Sequence, residues 1–188
     1  MTGLFPLEVL HQRLLPESSL LESLEGVPDA AVAIIIDAKI QGGSALFIKR
    51  SDRPGDPWSG QIAFPGGHRS TIDRSLRDTA IREANEEVGV CLSNHQMLGV
   101  LSPIRAHTRR ILVAPFIFQL ISNVSLKLND EVTESFWIPL SLLSDLNVGK
   151  SNVEVEDGVL TVDAYTYEGR VIWGLTFRIL NSLLAKNM

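Results

Sequence analysis

Three glutamates lie close together in the segment FPGGHRSTIDRSLRDTAIREANEEVGV, which runs from Phe64 to Val90. On a helix, Glu86 and Glu87 stand three and four residues beyond Glu83, so the three carboxylates project from one sector of the surface. Like charges at this spacing repel by roughly 0.2–0.5 kcal/mol per pair. The cluster therefore indicates either a solvated acidic helix face, helped by Arg82, or a site for a hard divalent cation such as magnesium, which prefers oxygen ligands.

A glycine pair precedes the glutamates and favours the metal site. Gly66 and Gly67 follow Pro65, and we expect them to turn the chain out of a strand and to permit close approach of the backbone. A carbonyl at this turn could join a metal shell, and an amide could meet a phosphate. Without the glutamates, the same three residues would indicate only a turn.

The apolar pattern predicts the elements that hold these residues. From Ser75 to Val88, apolar side chains recur at a period of 3.6 on one side of a helix, which Gly89 is placed to end. Apolar and β-branched runs predict strands around it: AAVAIIID and SALFIKR as a hairpin, QIAF before the glycines, and MLGVLSPI, ILVAPFIFQLI, ESFWIPL and VEVEDGVLTVDAYTY after the helix. A final amphipathic helix is predicted within RVIWGLTFRILNSLLAK, and the sum is an α+β fold.

Length and composition indicate one globular unit. The chain has 188 residues, of which 45% are hydrophobic and 21% charged, so it is long enough to bury a core without disulfides. Leucines from Leu7 to Leu24 predict one or two short helices. We therefore expect an N-terminal helical segment over residues 1–28 and a single globular domain over residues 29–188.

Charge and cysteine content exclude several classes of partner and site. The net charge of -5 gives no general attraction to nucleic acid or to an anionic membrane. Cys91 is the single cysteine, which excludes an intramolecular disulfide and a multi-cysteine zinc site. No apolar run reaches the roughly 18 residues of a membrane span. We expect a cytoplasmic protein that binds neither nucleic acid nor membrane.

One stretch resembles the Nudix box of the hydrolases that act on nucleoside diphosphates linked to another moiety. Gly67 is followed after five residues by Asp73, and after eight more by Arg82-Glu83-Ala84-Asn85-Glu86-Glu87-Val88-Gly89. The usual box has a glutamate where Asp73 stands and seven residues before the arginine. The extra residue, SGQIAFPGG and the WGLT within RVIWGLTFRILNSLL are similar to the coenzyme A diphosphatase branch.

The resemblance implies a Nudix fold, a mixed β-sheet sandwiched between α-helices, and magnesium-dependent hydrolysis of a diphosphate bond, with manganese as the alternative cation. By residue-wise comparison, Glu83, Glu86 and Glu87 would bind the metal with the Gly67 carbonyl, and Arg82 would orient the glutamates. The general base is left open between Glu131 and Glu134 in NDEVTESFW, with Glu131 ranked first. The predicted catalytic residues are Glu83, Glu87, Arg82 and Glu131.

Substrate-binding candidates come from loops. They are Arg50, Arg53, Trp58, Gly66 and Arg109. The arginines would grip phosphate, although loop arginines are more often solvated, and Trp58 would stack on a base. His68 is assigned to an exposed loop.

Several functions remain open at this point. The substrate is expected to be a small-molecule diphosphate, with a coenzyme A-like compound favoured. ADP-ribose, nucleotide sugars or nucleoside triphosphates are alternatives, as is a non-catalytic module that senses a nucleotide. The branch carries a basic residue upstream of its GQ, where this chain has Asp56 and Trp58. Because Nudix proteins are often dimers, a homodimer is the expected assembly.

Overall fold

The computed structural model describes residues 14–22, 27–40, 43–106, 111–146, 148–155 and 158–184. Strands and helices follow one another as β1 (Ala30–Asp37), β2 (Ser44–Arg50), β3 (Ile62–Ala63), β4 (Gly66–His68), α1 (Leu76–Val88), β5 (Gln96–Val100), β6 (Ile104–Arg105), β7 (Leu112–Gln119), β8 (Val132–Pro139), α2 (Leu140–Asp145), β9 (Gly149–Val155), β10 (Gly158–Tyr167), β11 (Arg170–Ile172) and α3 (Gly174–Leu184). Two 3₁₀ helices span Glu17–Glu22 and Leu92–Asn94.

The main sheet is mixed, as predicted. Its strand order is β3-β2-β1-β7-β5, with β4 beside β1, β6 beside β7 and β8 beside β2. β1 and β7 run parallel, whereas the other pairs in this sheet are antiparallel. Strand β1 is buried along most of its length because it has neighbours on both sides and helices on both faces.

The two faces of the sheet pack against different helices. Ala31, Ala33 and Ile35 of β1 belong to the apolar cluster that contains the buried side of α1. Ile34 and Ile36 alternate with them and belong to the cluster that contains α3. The predicted arrangement of a sheet between helices is therefore confirmed, and alternate residues of β1 pack into two separate layers.

A second, three-stranded sheet follows the main one, in the order β11-β10-β9. Arg170 of β11 connects it to the main sheet, because its guanidinium lies 4.4 Å from the ring centre of Phe136 on β8. The same guanidinium pairs with Glu134 on β8. No helix in the described part of the chain has the length and apolar character needed to cross a membrane.

The structure differs from the sequence prediction at two places. Gly66 and Gly67 lie inside strand β4, paired with Val32 and Ala31 of β1, instead of turning the chain out of a strand. In the predicted N-terminal helical segment, the described helix is a 3₁₀ helix at Glu17–Glu22, and Leu15 pairs with Val100 on the main sheet. The division of the chain after residue 28 stays a prediction.

Candidate active site

Helix α1 begins and ends where its sequence predicts. The Ser75 side chain accepts a hydrogen bond from the Asp78 amide, and the Asp78 side chain accepts one from the Ser75 amide, which forms a capping box. At the other end Gly89 adopts φ 73°, a left-handed conformation that glycine reaches without strain. These caps fix the register of the helix, and with it the direction of Glu83, Glu86 and Glu87.

Arg82 is the hub of an ion-pair network at the start of the site. Its Nε and Nη2 donate to the two carboxylate oxygens of Asp73, each at 3.0 Å, and Nη2 also donates to the His68 carbonyl at 3.1 Å. Nη1 donates to Glu83 at 2.7 Å and to Glu86 at 3.0 Å. These donors of Arg82 are directed at protein oxygens, and its predicted role of orienting the glutamates stays a prediction.

Asp73 anchors this network from a buried position. Besides the two bonds from Arg82, it accepts hydrogen bonds from the Ser70 amide at 2.8 Å and the Thr79 hydroxyl at 3.0 Å. The Arg82 bonds lower the pKa of Asp73 to about 2, against the opposing effect of burial. In this structure Asp73 therefore holds the Arg82 guanidinium through two hydrogen bonds.

We expect the Asp73 network to stabilise the fold above pH 4 and to lose that effect as pH falls toward 2. The folded-state pKa of Asp73 lies below its ordinary value of 3.8, so acid protonates the unfolded chain first. The shift corresponds to about 2 kcal/mol at neutral pH. Urea unfolding of wild type and Asp73→Asn should differ by at least that amount at pH 7, and the difference should shrink below pH 4. A difference that stays constant with pH would contradict the assignment.

Glu87 is the most buried carboxylate of the cluster, with 1% of the residue exposed. Its Oε2 accepts a hydrogen bond from the Gly66 amide at 2.9 Å, and its Oε1 lies 3.9 Å from Nη1 of Arg50. Burial raises the pKa of Glu87 to about 8, while the Gly66 amide and Arg50 act in the opposite direction. The Gly66 amide, predicted to meet substrate, is thus directed at Glu87 in this structure.

Gly67 lets the Glu83 carboxylate approach strand β4 closely. A Cβ atom at residue 67 would lie 2.5 Å from Oε1 of Glu83 and 2.6 Å from its Cδ, which no real contact tolerates. Burial raises the pKa of Glu83, and the Arg82 hydrogen bond opposes that effect. The missing side chain is therefore what brings a carboxylate of α1 to the backbone of β4.

A cavity of about 270 Å³ opens beside these groups. Six of its lining residues were predicted from the sequence to take part in chemistry or binding: Arg50, Trp58, Gly66, Gly67, Glu83 and Glu131. Glu131 comes from the loop before β8, and its backbone is held by two bonds: its amide donates to the Asn129 side chain at 2.9 Å, and its carbonyl accepts from the Ser51 amide at 2.9 Å. The cavity thus brings Glu83 of α1 together with a glutamate from a distant loop.

The remaining predicted residues lie elsewhere. Arg53 is not on the cavity lining, and its Nη1 pairs with Oε1 of Glu131 at 2.9 Å. Glu134 of β8, the second candidate for the general base, pairs with Arg170 of β11 and does not line the cavity, whereas Glu131 does. Arg109 lies outside the described residues.

The donor set fits a hard divalent cation, although the carboxylates are not gathered around one point. Among the described residues, no group of three histidine, cysteine, aspartate or glutamate side chains has the arrangement of a metal site. The reason is visible in the contacts: Arg82 bridges Glu83 and Glu86, and the Glu87 carboxylate is turned to the Gly66 amide. Glu86 is half exposed and paired on the surface, so it can leave Arg82 for a cation. Buried carboxylates with raised pKa values are the groups that a cation would stabilise.

Several lining residues were not predicted from the sequence, among them two residues of α3. Leu175 and Thr176 of α3 lie on the cavity, and the Thr176 hydroxyl donates to the Ile62 carbonyl at 2.9 Å. The WGLT segment that contains them was used in the sequence as a resemblance to the coenzyme A diphosphatase branch, with no binding role for its residues. His68, assigned to an exposed loop, lies in strand β4, is exposed, and also lines the cavity.

A family model described as the NUDIX domain matches residues 27–156. A protein of Photorhabdus laumondii named uncharacterized Nudix hydrolase NudL is 38% identical over 127 residues, which cover 66% of this chain and 67% of that protein. One of the same name from Pectobacterium atrosepticum is 35% identical over 127 residues, covering 66% of each. The chain thus matches about two thirds of the length of these relatives.

Solved structures resemble the fold. A MutT/nudix family protein from Enterococcus faecalis gives a TM-score of 0.52 at 20% identity, covering 94% of this chain and 66% of that one. The Nudix hydrolase RenU from M. smegmatis gives 0.51 at 19% identity, covering 65% and 80%. At this level of identity the likeness concerns the fold alone.

Proposed function

The chain belongs to the Nudix hydrolase family, and from this membership we propose that it cleaves the diphosphate bond of a nucleoside diphosphate linked to a second moiety, with magnesium as its cation. The observation that supports the proposal is the shared cavity: Glu83 and Gly67 from the family motif line it together with Glu131, and Glu87 accepts the Gly66 amide. Manganese is the alternative cation, because it takes the same oxygen ligands.

Glu83, Glu86, Glu87 and the Gly67 carbonyl would hold the cation. When bound, a divalent cation neutralises diphosphate charge and polarises the phosphorus centre. Glu131 is the proposed general base: the residue lines the cavity, and its carboxylate would take a proton from the attacking water. Arg50 lines the same cavity and binds a phosphate oxygen. Arg53 keeps Glu131 in place through their ion pair.

A coenzyme A-like compound is the substrate class we favour, with little selection for its 3′-phosphate. Asp56 pairs with Arg50 at 2.8 Å and also accepts the Trp58 amide at 3.0 Å, so its negative charge stands beside two cavity residues. A second phosphate near Arg50 would meet this carboxylate. The ion pair with Asp56 also weakens the attraction between Arg50 and a phosphate.

We expect coenzyme A and its dephospho form to be hydrolysed with kcat/KM values that differ by less than about tenfold, or roughly 1.4 kcal/mol. The measurement is product release from both compounds at one magnesium concentration and ionic strength. ADP-ribose, dinucleoside polyphosphates, nucleotide sugars and nucleoside triphosphates complete the panel.

Each other outcome of this panel has a definite meaning. A strong preference for coenzyme A would show a basic site that reads the 3′-phosphate. Activity only on ADP-ribose, nucleotide sugars or nucleoside triphosphates would reject the coenzyme A-like substrate. No release from any compound, with or without magnesium, would reject hydrolysis in favour of a nucleotide-sensing role.

Location and assembly belong to the same proposal. The single cysteine is compatible with the reducing cytoplasm, where we place the protein. A homodimer is the assembly we expect, and sedimentation equilibrium would measure it directly.

A further inference from the structure

The cavity has a charged side and an apolar side. Glu83 and Glu131 lie on its lining, and Arg50 and His68 are the basic side chains that the described residues add to it. The side of the cavity next to α3 is apolar, because strands β1 and β7 contribute Ala30, Val32 and Val113 to it. These are small or aliphatic side chains without hydrogen-bonding groups.

Strand alternation explains the apolar side. Val32 packs against the same cluster as Ile34 and Ile36, on the sheet face that α3 covers. Ala31 and Ala33 point to the opposite face, where α1 packs. Glu83 therefore comes from the α1 layer of the sandwich, to which the lining residue Ala31 also belongs. The lining residues Val32 and Leu175 belong to the α3 layer.

The first turn of α3 closes this apolar side. Leu175 and Thr176 are both on the lining, and the Thr176 hydroxyl is fixed by its bond to the Ile62 carbonyl. Later residues of the helix, including Phe177 and Leu180, are buried in the core below. Because the core holds the helix and Ile62 holds its first turn, Leu175 presents a firmly placed apolar surface to the cavity. This turn lies beyond residue 156, where the match to the family model ends.

We propose that Leu175 and Thr176 form the specificity-determining wall of the cavity, which receives an uncharged, weakly polar group attached to the diphosphate. This inference rests on the proposed function, because it assigns the charged side of the cavity to the diphosphate. A nucleobase and an aliphatic amide arm share the required chemistry. Apolar contact of this kind discriminates by about tenfold or more for each group removed from a pocket.

The test is calorimetric binding of three probes at one magnesium concentration: ADP, 4′-phosphopantetheine and inorganic pyrophosphate. Wild type is compared with Leu175→Ala and with Thr176→Ser, which keeps the hydroxyl and removes a methyl group. Leu184→Ala is the matched control, because Leu184 is a partly buried leucine of the same helix and cluster that does not line the cavity.

We expect Leu175→Ala to weaken binding of ADP or of 4′-phosphopantetheine by about tenfold while pyrophosphate stays within about twofold. Thr176→Ser should change the same ligand by a smaller factor, and Leu184→Ala should change none. Loss with ADP identifies the base as the occupant, and loss with 4′-phosphopantetheine identifies the aliphatic arm.

Three outcomes would overturn the inference: unchanged binding of both organic probes, an equal loss for pyrophosphate, or no binding of any probe to wild type. Because binding is measured apart from turnover, failure of the proposed hydrolase activity can be distinguished from failure of this inference. If the protein cleaves no diphosphate but Leu175→Ala still weakens binding of an organic probe, the proposed wall is supported and the proposed reaction is rejected.

Discussion

Glu87→Gln will abolish turnover while the fold persists. Glutamine has nearly the same shape and can still accept the Gly66 amide, so the buried packing of α1 is kept. What is lost is the negative charge that a cation requires. We expect kcat/KM to fall by about a hundredfold or more, or roughly 2.7 kcal/mol, as for the removal of a key electrostatic group from an active site.

The measurement is kcat/KM at saturating magnesium, with urea unfolding in the absence of cation. Because burying the Glu87 carboxylate opposes folding, the neutral variant should be at least as stable as wild type. Glu154→Gln serves as control, since Glu154 is an exposed glutamate on β9 away from the cavity. Near-normal activity of the Glu87 variant would overturn the metal-site assignment.

Gly67→Ala will lower activity while leaving the stability of the fold nearly unchanged. The new methyl group would overlap the Glu83 carboxylate, which is the far end of a flexible side chain and can move aside at small cost. Moving it, however, takes a proposed metal ligand away from the cavity. A displacement of about 1 Å at a reacting centre costs on the order of a hundredfold in rate, and we expect a loss of that size in kcat/KM.

Two other glycines provide controls for this variant. At Gly66 an added Cβ would lie 2.4 Å from the Ala31 carbonyl oxygen and 2.6 Å from Val32 Cα, so Gly66→Ala should destabilise the fold itself. At Gly149 nothing lies within 4 Å, so Gly149→Ala should change neither property. A Gly67→Ala variant with wild-type kcat/KM would show that Glu83 need not approach β4.

Helix α1 could be predicted from the sequence because its determinants are local. The apolar period, the Ser75 cap and the Gly89 terminus all lie within the helix or next to it. The same holds for Glu83 and Glu86, which both pair with Arg82, whereas Glu87 is turned to the Gly66 amide. Asp73 is nine residues from Arg82, and its role depended on a loop geometry that spacing alone does not specify.

The strand at Gly66–His68 could not be predicted in the same way. Proline and two glycines are typical of a turn, whereas pairing with Ala30–Val32 depends on a segment more than thirty residues earlier. Leu175 was missed for a related reason, since a leucine in an amphipathic helix usually belongs to the core. Its position on the cavity follows from how α3 packs on the sheet.

The two sides of the cavity differ in how far apart their parts lie along the chain. The Gly66–Glu87 hydrogen bond joins residues 21 apart, whereas the Thr176–Ile62 bond joins residues 114 apart. Local contacts close quickly during folding, and distant contacts require a longer loop to be ordered first. The Gly66–Glu87 contact can therefore close before α3 docks. A chain caught between these two steps would hold Glu87 against β4 without the proposed wall at Leu175.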